Sequence, residues 1–110
     1  MRILLLDDDL AVLRTSQRAI ERMGHAVTAV STCAEADAVQ ESLDLAVLDI
    51  ELPDGSGVDV ARRLLDQGRV RSVVFYSGTG HANLAGLGRL VIKPDVEGLR
   101  QAIDAALSDR

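Results

Sequence analysis

Tryptophan is absent from these 110 residues, and one tyrosine and one phenylalanine make up the whole aromatic content. A core must therefore be assembled from Leu, Val, Ile and Ala, which suits layered α/β packing. The single cysteine, Cys33, excludes a disulfide framework and a cysteine-rich metal site, and it fits a reducing cytoplasm. No apolar run is long enough to cross a bilayer. The opening run from Met1 to Leu6 stops at three acids, too short and wrongly flanked for a secretory leader, so a cytoplasmic location is expected. Basic charge is also scarce. Lys and Arg number 12 against 17 Asp and Glu, a net charge of −5, and only Arg62-Arg63 and the Arg69/Arg71 pair approach a cluster. Direct attraction to nucleic acid or to an anionic membrane is not expected.

What is present is a regular alternation. Ile3 to Leu6, Ala26 to Val30, Leu43 to Ile50, Val73 to Tyr76 and Leu90 to Ile92 are short apolar runs of the kind found in strands buried on both faces. Between and after them come helical patterns. Leu10 to Met23 places Leu13, Ile20 and Met23 on one stripe and is stopped by Gly24. Ser31-Thr32 can cap a helix from Cys33 to about Ser42. Val58 to Gln67 is stopped by Gly68, and Asp95 to Leu107 aligns Val96, Leu99, Ile103 and Leu107. Leu52 to Gly57 reads as a loop. The order β-α-β-α-β-α-β-(short)-β-α predicts a flavodoxin-like, doubly wound, five-stranded parallel sheet, strand order 2-1-3-4-5, in one domain spanning 1–110.

In a parallel sheet the residues that end the strands share one edge, and ligands bind there. Asp7 and Asp8 end the first strand, Asp49 the third, Ser77 the fourth and Lys93 the fifth. Three close carboxylates repel one another unless a cation intervenes. A few hard oxygen ligands with open positions suit Mg²⁺. An anion would then bridge that metal and the lysine, and phosphoryl transfer onto a carboxylate meets the requirement.

Four stretches carry a resemblance: Ile3-Leu4-Leu5-Leu6-Asp7-Asp8-Asp9, the run from Val47-Leu48-Asp49 through Pro53-Asp54-Gly55-Ser56-Gly57, Val74-Phe75-Tyr76-Ser77-Gly78, and Val91-Ile92-Lys93-Pro94. In this order they resemble the receiver domain of bacterial two-component response regulators, the CheY-like family, over nearly the whole chain. The resemblance implies Asp49 as phosphoacceptor. Asp8 and Asp49 would ligate Mg²⁺ directly, with Asp7 acting mainly through water and the Glu51 backbone carbonyl as a further ligand. Ser77 and Lys93 would each hold a phosphoryl oxygen. The bond before Pro94 would be cis. A histidine kinase or phosphotransfer protein would supply the phosphoryl group, and a downstream protein of unknown identity would read it. The domain would promote its own phosphorylation and dephosphorylation rather than turn over a substrate, as a monomer or weak dimer.

Two departures stand out. The family carries Tyr or Phe three positions before the lysine, where this chain has Leu90. The span from Ser77 to Lys93 is also roughly six residues short, about 9 Å of helix at 1.5 Å per residue. With Gly78, Gly80, Gly86 and Gly88 crowding it, the fourth helix should be reduced to a turn around Ala82–Ala85 or be missing. An atypical output surface is the expected result, with a change of order in Gly78–Gly88 as one possible switch.

Bland roles suit the remaining polar residues: Asp9 and Asp59 at helix starts, Asp54 in a turn, and His25 and His81 without ligand spacing. The rival reading is a small haloacid-dehalogenase-like phosphohydrolase, which wants Asp-x-Asp-x-Thr. Asp7 and Asp9 supply the acids, but Ala11 replaces the threonine and the chain is too short for that family. A dinucleotide carrier lacks its Gly-x-Gly-x-x-Gly turn.

Overall fold

The computed structural model describes residues 1–80, 84 and 86–108. Strands β1 (Arg2–Leu6), β2 (Ala26–Val30), β3 (Leu45–Leu48), β6 (Ser72–Ser77) and β7 (Gly88–Ile92) form one sheet in the order β2-β1-β3-β6-β7, every pair parallel. That is the expected 2-1-3-4-5 order. The numbering differs because a two-stranded hairpin, β4 (Glu51–Leu52) and β5 (Gly55–Ser56), intervenes.

Alternate strand residues serve opposite layers, as the two-residue period of a strand requires. Ile3, Leu5, Val47, Val74 and Tyr76 pack beneath α1 (Leu10–Arg22) and α4 (Val96–Ser108). Leu4, Leu6, Leu48, Val73 and Phe75 pack beneath α2 (Cys33–Ala38) and α3 (Gly57–Asp66). The two aromatic residues are neighbours on β6 and face different layers.

Four elements differ from expectation by more than a one-residue shift at an end. Helix α2 ends at Ala38 rather than near Ser42, because Val39 turns to extended backbone and packs on the core, while Arg69 donates to the Asp37 carbonyl at 3.0 Å. Strand β3 is trimmed at both ends, and the Asp44 carboxylate accepts from the Arg2 amide at 2.7 Å. The expected loop from Leu52 to Gly57 is instead the end of a hairpin, with Glu51 opposite Ser56 and Leu52 opposite Gly55, and Gly57 opens α3. Strand β7 begins two residues early, at Gly88, where a Cβ would lie 2.2 Å from the Val73 carbonyl oxygen. Only glycine allows that approach. On α4, Val96 is exposed, and Leu99, Ala102 and Ile103 form the buried face.

Among the described residues no helix lies between β6 and β7. The expected turn at Ala82–Ala85 and His81 fall largely or wholly outside them. Leu84 and Leu87 are joined by a backbone hydrogen bond of 2.9 Å and pack against the α2/α3 layer.

Candidate functional site

The C-terminal ends of β1, β3, β6 and the segment after β7 meet at one edge of the sheet. Asp7 follows β1, and its amide donates to the Val30 carbonyl at 3.2 Å. The Asp49 amide donates to the Leu6 carbonyl at 2.9 Å, and the Lys93 amide to the Ser77 carbonyl at 2.9 Å. Sheet-type bonds therefore carry on past the strands and hold the site residues in register.

Asp7 and Asp49 are buried and Asp8 is exposed. One carboxylate oxygen from each of the three lies within 4.8 Å of the others, a group able to hold a metal ion. The Lys93 ammonium stands 2.5 Å from Asp7 Oδ2 and 3.1 Å from Asp49 Oδ2. The remaining oxygens accept backbone amides: Asp7 Oδ1 from Asp9 at 2.9 Å, and Asp49 Oδ1 from Ile50 at 2.8 Å. Each buried carboxylate thus has one oxygen on a fixed amide and one on a movable cation.

Burial raises the Asp7 pKa, against the lowering effect of its Lys93 and Asp9 hydrogen bonds. Burial would lower that of Lys93, but the hydrogen bonds to Asp7 and Asp49 outweigh it and raise the ammonium instead. The sign is what two acids sharing one base should give. Ser77 is buried, and its hydroxyl oxygen accepts the Thr79 amide at 3.4 Å. The Lys93–Pro94 bond is cis. Glu51 is exposed at the start of β4, and Leu90 is partly buried against the α2/α3 layer.

Other acids stand apart from this cluster. Asp9 caps α1, its Oδ1 accepting from Ala11 at 3.0 Å and Val12 at 3.2 Å. Asp59 lies in the first turn of α3. Asp54 reaches back to α2 and accepts the Cys33 amide at 2.9 Å and the Ala34 amide at 3.1 Å, which holds its carboxyl low. Nothing in the Pro53-Asp54-Gly55 turn signals a contact spanning some twenty residues. His25 is half-buried with no partner on Nδ1, and burial lowers its pKa.

Cys33 lies behind that turn. Burial, then its hydrogen bond to Asp54, pushes the thiol up to about 11 from 9.0. The neutral form is favoured by folding, so this contribution is complete below the unfolded value and fades as pH rises toward the folded one. Iodoacetamide at mildly alkaline pH is expected to alkylate the native chain about a hundredfold more slowly than the urea-unfolded chain. Equal rates would show the thiol to be open.

The family model for the response regulator receiver domain matches residues 3–104. The chain belongs to that family. Acid tolerance regulatory protein ActR of Rhizobium meliloti is 39% identical over 85 residues, covering 76% of this chain and 43% of ActR. Alginate biosynthesis transcriptional regulatory protein AlgB of Pseudomonas syringae pv. tomato is 36% identical over 76 residues, covering 67% of this chain and 17% of AlgB. The receiver chain thus spans less than half the length of these curated relatives. Among solved structures, a CheY-like receiver domain from Methanospirillum hungatei JF-1 superposes with a TM-score of 0.84 at 27% identity, covering 98% of this chain and 94% of that one. Response regulator TrrA of Thermotoga maritima, solved in complex with Mg(2+)-BeF, has the same fold, with a TM-score of 0.86 at 22% identity and coverage of 96% and 98%. Receiver domains are signalling modules, and among the described residues no helix is long and apolar enough to cross a membrane.

Proposed function

We propose that residues 1–110 act as one receiver domain that accepts a phosphoryl group on Asp49 from a histidine kinase or phosphotransfer protein. The observation that carries this is the sharing of Lys93 by two buried carboxylates beside a third, exposed one. A buried ion cluster of this kind is a poor stabilising device, so a binding role is the better account of it.

The donor set fits Mg²⁺: all-oxygen, three carboxylates on one side, one of them solvent-facing. Asp8 and Asp49 would ligate directly, Asp7 mainly through water, and the Glu51 carbonyl would complete the protein's share. When bound, the ion offsets charge on the transferring group. Asp49 contributes the attacking oxygen: its O–P bond forms as the donor's bond to phosphorus breaks. Lys93 and the Ser77 hydroxyl hold phosphoryl oxygens, and water later hydrolyses the acyl phosphate at the same site, so the domain promotes both its own phosphorylation and its dephosphorylation. Glu51, exposed two residues after Asp49, would influence how long the phosphoryl group lasts.

Output is proposed to be atypical, a protein–protein interaction in the cytoplasm by a monomer or weak dimer, without direct contact to nucleic acid or membrane. Leu90 packs inward as an aliphatic residue and cannot present a polar ring tip. Intact-mass analysis after treatment with an acyl phosphate and Mg²⁺ tests the acceptor. The wild-type chain should gain one phosphoryl group and Asp49→Asn none. An undiminished adduct in the variant would move the acceptor elsewhere, and turnover of unrelated phosphate esters would favour the phosphohydrolase reading.

A further inference from the structure

Leu90 sits in the α2/α3 layer, and the tyrosine beside Lys93 is on the other face of the sheet. Tyr76 is 3% exposed and packs in the α1/α4 layer. The Lys93 ammonium lies 5.8 Å from its ring centroid, within reach of a cation–π attraction. Tyr76 and Lys93 also line one groove of about 250 Å³ between α1 and α4, together with Ala11, Val12, Thr15 and Val96. Lys93 is therefore both a partner of the acceptor-site carboxylates and a wall of a groove outside that site.

Phosphoryl binding cannot leave this arrangement as it is. The ammonium rests on Asp7 Oδ2 and Asp49 Oδ2, while both Oδ1 atoms are held by amides. A divalent ion drawing on these carboxylates, and a phosphoryl group bonded to Asp49, compete for the oxygens that the lysine now uses. The ammonium must turn to a new anion. Its backbone amide is tied to the Ser77 carbonyl, which would confine the readjustment to the side chain, beside the Tyr76 ring.

We propose that Tyr76 is a positioning residue for Lys93 and registers phosphoryl occupancy on the α1/α4 face, the part that Leu90 cannot play. This rests on Asp49 being the acceptor. Because Tyr76 is the sole tyrosine, 3-fluorotyrosine incorporated into the full chain gives a single protein ¹⁹F resonance. Mg²⁺ is added first, then beryllium fluoride as the phosphoryl mimic, whose bound form has its own signal in the same spectrum. The Tyr76 resonance should shift between the Mg²⁺ and the Mg²⁺–beryllium fluoride states, and Leu90→Ala should keep that shift. No bound fluoride signal would overturn the acceptor reading and the inference with it. A bound signal with an unmoved Tyr76 resonance, or a response lost in Leu90→Ala, would overturn the inference alone.

Rate measurements add a second reading. Tyr76→Leu is expected to slow phosphorylation by acyl phosphate about tenfold, between the sizes of an exposed and a desolvated cation–π contact, and Tyr76→Phe to stay within about twofold because the ring face remains. Equal losses in both would reduce Tyr76 to core packing. If the leucine variant does not fold, the fluorine shift still decides.

Discussion

Lys93→Met should destabilise the metal-free protein by about 3 kcal/mol, the lower end of the range for removing one partner of a buried ion pair. Methionine keeps most of the stem's length and apolar volume, so the change isolates the charge. The lower end applies because the lysine side chain is 15% exposed, while those of Asp7 and Asp49 are 3% and 10% exposed. Without the ammonium, two buried carboxylates face each other with no counter-charge. Urea unfolding in a chelator reads the loss directly. Repeating it in saturating Mg²⁺ should recover much of the difference, since a divalent ion would replace the missing cation. An identical midpoint for variant and wild type in chelator would mean that water already screens the pair. A deficit untouched by Mg²⁺ would argue against a metal among these acids.

Gly57→Ala is expected to be the most damaging single methyl in the chain. A Cβ there would sit 1.7 Å from the Asp49 carbonyl oxygen and 2.8 Å from its carbonyl carbon. Backbone cannot yield as a flexible side-chain end can, and the Gly57 amide is tied to the Ile50 carbonyl at 2.7 Å. Either α3 moves off the sheet or the Asp49–Ile50 backbone is displaced. We expect a loss of about 3 kcal/mol or more, the upper end for overpacking. The folded fraction should also take up phosphoryl slowly, because the acceptor is pushed from its place. Gly68→Ala is the control: its φ of +67 strains an alanine, but nothing lies within 4 Å. That substitution should cost only about 1 kcal/mol. Gly57 has no left-handed φ, so equal losses at the two glycines would show that the backbone yields to the added methyl and that the close approach costs little.

The topology was legible because the apolar runs that make a two-face-buried sheet are nearly unbroken in the sequence, and a parallel order gathers strand ends by geometry alone. Asp7, Asp8, Asp49, Ser77 and Lys93 could be grouped for the same reason. Relations between distant segments were not legible. The Asp54 carboxylate on α2, the Arg69 guanidinium closing the end of that helix and the glycine approaches at 57 and 88 depend on how the layers settle. Local propensity has no part in them. Sequence could set Leu90 against the family's aromatic, but the position of Tyr76 beneath Lys93 follows only once β6 and β7 are in register.

Asp54 has one more bearing on how a visitor reaches Asp49. Its two bonds to α2 fasten the tip of the β4–β5 turn, so the turn cannot swing aside without freeing the first two amides of a six-residue helix. A molecule docking over the turn that follows Asp49 therefore meets a stationary jaw there, braced against α2 before it arrives.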